Sequence, residues 1–346
     1  MNISMITAFG RVPKKSLLGV VTAVSAITYL SAGAMAQDIK MTVSAIGRPP
    51  IFSNTFVDVG EAKGYWKKAG LDVNFRWFQR GTDTAKAVVT GDAAIGFTAT
   101  PPAVNLIATG APVVVIAGMP NQDWLIASDE VKSCKDLKGK TIAADGINNT
   151  RTLFLQSVLE SCGVKLSEVK HIDLANQPLV KAAIAGQVHN GVWHIDELKQ
   201  VEGKTGKKWA LIDMPKNIYA DLHYAVLLSS KDAIAKDREG IIRFLVGWIQ
   251  TQKFMSSTDP KDQAEFAKIA SDASQMDLAV AKESIVEFQK LPYWVNNDGL
   301  DQKQLVAQVD ELVKVGKMKA ETKPSYEKIV DKSLYAEAAK RAAAVK

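Results

Sequence analysis

The sequence predicts an α/β chain in two lobes, and three observations carry that expectation. From Lys40 onward, short β-type runs alternate with amphipathic helical patterns. At Trp124 the alternation begins again, with no flexible linker before it. Removal of an expected 36-residue leader leaves 310 residues, enough for two ordinary domains. Strands that alternate with helices imply largely parallel sheets flanked by helices.

The leader comes first. Arg11, Lys14 and Lys15 precede an apolar run from Leu17 to Leu30, and small residues end at Ala34-Met35-Ala36. That is the pattern of a secretory signal peptide cut before Gln37. A run of about 14 residues is short of the roughly 20 needed to span a bilayer. Without those residues the 43 basic side chains become 40, against 37 acidic, a net of +3. So weak a charge does not point to nucleic acid. The two cysteines, Cys134 and Cys162, then lie in an oxidising compartment. A disulfide is expected between them, with two buried thiols as the alternative.

In the first half, KMTVSAI (Lys40 to Ile46) is a strand, ended by Gly47-Arg48-Pro49-Pro50. A helix is expected from about Asn54 to Ala69, capped by Gly70. LDVNFRWF (Leu71 to Phe78) is a second strand. A short helix, Thr82 to Thr90, and a third strand, Ala94 to Phe97, follow. Thr98-Ala99-Thr100-Pro101-Pro102 opens the next helix, with Thr100 as N-cap. VVVIA (Val113 to Ala117) is a buried strand.

In the second half, Trp124 to Ser128 is a strand. LKGKTIAADGINNTRTLFLQSVLESCG (Leu137 to Gly163) reads as strand, polar turn and helix. Asn148 or Asn149 serves as N-cap, with Thr150 and Arg151 beside it. A helix N-terminus next to a guanidinium suits an anion; the plain alternative is a solvated arginine. Val169 to Asp173, Gly191 to Trp193, Trp209 to Ile212 and YAVLL (Tyr224 to Leu228) are further strands. Pro178 to Ala185 and Ile195 to Glu202 are helices. From Ile234 onward the chain is mostly helical, and its apolar stripes face a core.

Ligands in open α/β sheets bind at the C-terminal ends of strands. The loops that qualify are Arg48 to Asn54, Phe97 to Thr100, Asp145 to Arg151 and the turn at Trp193-His194. The dinucleotide, P-loop, nucleophile-elbow and zinc-protease motifs do not occur. No histidine among His171, His189, His194 and His223 has metal-ligand spacing. No catalytic residue, metal or cofactor is therefore expected.

GYWKKAGLDVNFRWFQRGTDTAKAVVTGDAAIGFTATPPAV (Gly64 to Val104) resembles the first lobe of periplasmic solute-binding proteins of the nitrate, sulfonate and taurine type. That group also holds thiamine-pyrimidine-precursor binding proteins. LKGKTIA, with its polar turn, is similar to their second lobe. The resemblance implies a Venus-flytrap fold of mixed, mostly parallel sheets, with crossovers near Pro120 to Trp124 and Leu222 to Leu228. It divides the chain into leader 1–36, first lobe 37–122, second lobe 123–222 and a return to the first lobe over 223–346. It implies a periplasmic monomer that delivers its solute to the permease and ATPase of an ABC importer; the residues of the loops point to a small organic anion, a sulfonate or carboxylate, as that solute. A pyrimidine-type heterocycle is the alternative ligand. Arg48, Asn54, Thr98 and Thr100 would serve the ligand from the first lobe. Asn149, Thr150 and Arg151 would serve it from the second, and Trp193 and His194 would line the wall. The same fold resembles pyrimidine synthases that consume a histidine of their own with a pyridoxal cofactor. His194 could be cast in that role, but no lysine is placed by motif for the cofactor.

Overall fold

β1 (Ile39–Ile46) is the strand on which the first sheet is registered. Its apolar residues Met41, Val43 and Ala45 are buried. It pairs in parallel with β2 (Leu71–Phe78) along its whole length, Ile39 opposite Leu71 and Ile46 opposite Phe78. The computed structural model describes residues 38–147, 149–212, 222–291 and 293–344. The expected leader and the candidate cap Asn148 lie outside them.

β3 (Ile95–Ala99) pairs in parallel with β1 on its other side. β10 (Ala225–Ser230) runs antiparallel between β3 and β4 (Val113–Met119), giving the order β2-β1-β3-β10-β4. The second sheet has the order β7-β6-β8-β5-β9. Its strands are β5 (Leu125–Ser128), β6 (Thr141–Ala144), β7 (Lys170–Asp173), β8 (Asn190–Trp193) and β9 (Ala210–Leu211). β6 pairs in parallel with β7 and β8, while β5 is antiparallel to β8 and β9. Both sheets are thus mixed. The chain leaves the first sheet after Met119 and enters the second at Leu125. It returns between Leu211 and Ala225, where residues 213–221 are not described.

The helix expected over Asn54 to Ala69 is broken in two. α1 (Phe56–Ala62) stops at Lys63, and α2 (Tyr65–Lys68) starts after Gly64 at φ 64°. Glycine takes that left-handed conformation without a Cβ penalty, so the chain turns there. α3 (Gly81–Val89), α4 (Thr100–Ala108), α5 (Thr150–Ser161), α6 (Asn176–Ile184) and α7 (Ile195–Thr205) follow strands β2, β3, β6, β7 and β8. Ala99, not Thr100, is the N-cap of α4, since Ala99 is extended and Thr100 is already the first helical residue.

After β10 come α8 (Lys231–Lys236), α9 (Arg238–Met255), α10 (Pro260–Ser274), α11 (Leu278–Lys290), α12 (Gln302–Lys314), α13 (Tyr326–Ile329) and α14 (Ser333–Ala344). α9 buries Ile241, Phe244, Leu245 and Trp248. Trp248 meets Phe56 of α1 edge-on at 4.9 Å, and Phe244 stacks on Trp66 of α2 at 5.6 Å. α11 reaches the other lobe: Lys199 and Lys204 of α7 pair with Glu283 and its N-cap Asp277. Cys134 and Cys162 form a disulfide, closing the unit that holds β6 and α5. Among the described residues no helix is long and apolar enough to cross a membrane, and no cluster could hold a metal ion.

Candidate functional site

The cleft lies where the C-terminal ends of strands from both sheets meet the N-termini of the helices that follow. From the first lobe it takes Ile46, Gln79, Arg80, Gly81, Phe97 and Ala99; from the second, Asp145, Asn149 to Arg151, Asp173, Asn176 and His194. Trp124 and Tyr224, next to the two inter-sheet passages, complete the wall. The cavity is about 190 Å³, the size of a small solute rather than of a drug-sized one. Successive helices α3 to α7 all begin near it, and the N-terminal end of a helix favours negative charge. Carboxylates answer several of those ends. Asp145 Oδ1 accepts Thr152 N–H at 2.9 Å, and Glu197 accepts His194 N–H at 3.0 Å. α4 offers little, because Pro101 and Pro102 have no N–H. α3 begins at Arg80 with no side-chain cap.

Arg151 lines the cleft but is not free to take an anion there. Its Nη1 donates to Glu197 Oε2 at 2.8 Å and Val192 O at 3.1 Å. Its Nη2 donates to Glu197 Oε1 at 3.0 Å and Asn176 Oδ1 at 2.7 Å. Burial opposes the Arg151 charge, but Glu197 outweighs it and holds the guanidinium above its ordinary pKa. Burial likewise opposes the Glu197 charge, yet Arg151 keeps that carboxyl below its usual range. Burial raises the Asp145 carboxyl above its ordinary value, outweighing the nearby Arg151 charge.

Arg80 is the more exposed cation at the cleft. Its Nη2 meets Asp173 Oδ2 at 3.1 Å across the mouth of the cleft, one residue from each lobe, with side chains 55% and 51% exposed. Sequence reasoning missed both, although Asp173 ends β7 and Arg80 follows the end of β2 by two residues, places that the rule for the other loops also covers.

The remaining expected residues divide. Asn54, Asn149, Thr150 and His194 line the cleft. Arg48 is drawn aside: it pairs with Asp58 at 2.6 Å and lies 3.7 Å over the Trp77 ring. Thr98 and Thr100 are corrected, since neither side chain faces the cavity. Strand alternation directs Phe97 and Ala99 inward and turns Thr98 to Gly81 O at 2.8 Å. Thr100 Oγ1 is 2.8 Å from His223 Nδ1. Trp193 is corrected for the same reason. It is fully buried in its own lobe, 5.1 Å from Trp209 and edge-on to it.

The aromatic wall is Trp124. Its Nε1–H donates to His194 Nε2 at 3.0 Å, and His194 Nδ1 is 2.7 Å from Asp123 Oδ1. An indole N–H can only donate, so Nε2 is the acceptor and Nδ1 carries the proton toward Asp123. Tyr224 stands at 90° to Trp124, with 5.6 Å between ring centroids.

Comparison with known proteins agrees with this architecture. A protein of Brucella abortus (strain 2308) named as a putative binding protein is 24% identical over 310 residues, covering 86% of this chain and 93% of the relative. The taurine-binding periplasmic protein of Escherichia coli (strain K12) is 24% identical over 179 residues, covering 50% of this chain and 53% of that protein. The alkanesulfonate-binding protein SsuA from Xanthomonas axonopodis pv. citri, solved bound to MOPS, superposes with TM-score 0.67 at 16% identity, covering 88% of this chain and 98% of that one. The periplasmic nitrate-binding protein NrtA from Synechocystis PCC 6803 gives TM-score 0.70 at 14% identity, covering 87% and 88%. The fold is therefore the two-lobed periplasmic-binding-protein fold expected from the sequence. The NMT1/THI5-like family model matches residues 52–258, more than half of the chain, and the protein belongs to that family.

Proposed function

We propose that this protein is the periplasmic substrate-binding component of an ABC importer. It captures a small organic solute between its lobes and presents it to a membrane permease powered by a separate ATPase. The observation that carries the reading is the Arg80–Asp173 pair. One lobe contributes Arg80 and the other Asp173, opposite charges that face each other across the cleft. A solute with an anionic end, sulfonate or carboxylate, meets Arg80 and the uncapped first turn of α3. A donor at its other end meets Asp173 or Asp145. A ligand touching both lobes favours the closed form over the open one. The names of the relatives support the class: sulfonate-, nitrate- and taurine-binding proteins share the fold or part of the sequence.

A pyrimidine-type heterocycle is the second reading. Trp124, Tyr224 and Phe97 give the cavity flat apolar walls, and Asp145 is an acceptor for an amino group. A catalytic role for His194 has less support, because both of its ring nitrogens are engaged within a buried Asp123–His194–Trp124 chain.

The experiment is a thermal-shift panel over taurine, alkanesulfonates, aromatic carboxylates, nitrate and aminopyrimidines. A ligand at 100 times its Kd adds about 2.7 kcal/mol, which such a shift resolves. Stabilisation by sulfonates or carboxylates supports the first reading, and by aminopyrimidines alone the second. A panel in which none acts overturns both.

A further inference from the structure

Asp196 stands in the first turn of α7, on the second lobe, and its hydrogen-bond partner is on the first. Its Oδ2 accepts the backbone N–H of Phe52 at 3.1 Å. Phe52 is held in place by its ring, which packs on Phe266 at 5.3 Å, Phe288 at 5.5 Å and Trp294 at 6.2 Å. Asp196 is 1% exposed and Phe52 0%. The other carboxylate oxygen, Oδ1, is buried without a hydrogen-bond partner. An ionised carboxylate so placed is poorly compensated, and the neutral acid, which buries no charge, costs less.

Several groups face Asp196, and the carboxylates among them deepen the imbalance while His194 opposes it. From α7 they are His194 and Glu197, from the inter-sheet passage Asp123, and from the start of β10 Tyr224. The Phe52 side contributes a peptide N–H and no charge. Glu197 is committed to Arg151, and His194 is bonded to Asp123 and Trp124. Burial pushes the Asp196 carboxyl up to about 7, against the influence of His194 and with Glu197 and Asp123 adding to the rise.

We propose that closure of the cleft is proton-linked through Asp196, which is ionised and hydrated while the lobes are apart and takes up a proton as the Phe52 N–H seats on it. This rests on the reading that the lobes open and close on a solute, and it names the proton as a regulator of that movement. The sign follows from linkage. Closing takes up a proton wherever the pH lies between the ordinary carboxylate value, 3.8, and the closed value of about 7. The closing constant therefore rises by up to about tenfold for each pH unit lowered through that window, and is flat above it. An acidified medium favours the closed form even without solute.

Small-angle scattering of the whole ligand-free protein between pH 8 and pH 5 tests this with the proton as the only added species. The radius of gyration is expected to fall as the pH is lowered. Asp196→Asn mimics the neutral carboxyl and keeps an acceptor for the Phe52 N–H, so it should be compact at both pH values. A wild-type radius unchanged between pH 8 and pH 5, or a pH dependence that survives Asp196→Asn, overturns the proposal. The ¹³C carboxyl resonance of Asp196 in the wild type supplies a readout that no folding defect can confuse. A titration midpoint in the ordinary carboxylate range in the compact form would also overturn it. A protein that closes with pH yet binds nothing in the ligand panel defeats the functional reading alone.

Discussion

Glu197 receives both terminal nitrogens of the Arg151 guanidinium, at 2.8 and 3.0 Å, inside the second lobe, and neither residue is more than 4% exposed. The pair joins the start of α5 to the start of α7 beneath the cleft floor. It is a structural tie at the position where the sequence suggested a ligand contact.

Arg151→Ala is accordingly expected to cost about 3–5 kcal/mol of folding stability, because it leaves a buried carboxylate without its partner. Arg151→Lys recovers only part, since one ammonium cannot serve both oxygens. Glu197 has a depressed folded pKa, so the pair contributes above the ordinary carboxylate value of 4.5 and is lost as the pH falls through the lower folded value. Urea unfolding at pH 7 measures the loss. An Arg151→Ala protein of unchanged stability that no longer binds solute would restore the ligand-contact role.

Arg80→Ala and Asp173→Ala should behave in the opposite way. Their pair is half exposed, and such surface pairs contribute about 0–1 kcal/mol to stability. Affinity for the panel's best anionic solute should fall at least about tenfold in Arg80→Ala, roughly 1.4 kcal/mol or more, when the anion loses its cation. Calorimetric titration decides the point, and wild-type affinity in Arg80→Ala would remove Arg80 from the site.

Two tryptophans separate core from site. Trp193→Ala is expected to cost about 3–5 kcal/mol of stability, as a fully buried ring leaves a cavity. Trp124→Phe keeps an aromatic wall but loses the donor to His194, so solute affinity should fall more than stability. Paired unfolding and binding curves test the contrast. It fails if Trp193→Ala changes affinity at wild-type stability.

His223 is buried between Thr100 and Gly299 O, and burial lowers its pKa from 6.5 to about 4. The unfolded chain then binds a proton between those values that the fold does not. Stability is full above pH 6.5 and declines as the pH falls toward 4, by about 3 kcal/mol from this group. Unfolding free energies measured at several pH values should show the slope in the wild type. In His223→Gln the slope should flatten, even where that variant is less stable throughout.

The Cys134–Cys162 disulfide spans 28 positions of sequence around β6 and α5. Replacing both by serine is expected to cost about 3 kcal/mol. Thiol titration of unreduced, unfolded protein should find no free thiol, and two titratable thiols would refute the bridge.

The sequence by itself determined the elements and their order. β-type runs such as LDVNFRWF and VVVIA alternate with helical stripes, and local periodicity records which face of each must be buried. It also marked Asn149, Thr150 and His194 as cleft residues, because strand ends and helix starts are local features. Which side of a strand faces the cleft was decided only by the tertiary structure. Trp193 and Thr98 stand one position from residues that line it, and the two-residue period of a strand turns them to the opposite face. Pairing across distance was equally hidden. Arg151 lies 46 residues from Glu197, Arg80 lies 93 from Asp173, and Phe52 lies 144 from Asp196. No local pattern selects among many carboxylates of equal chemistry. Sheet order and the seating of one lobe on the other choose the partner, and that choice fixes which charges remain for a ligand.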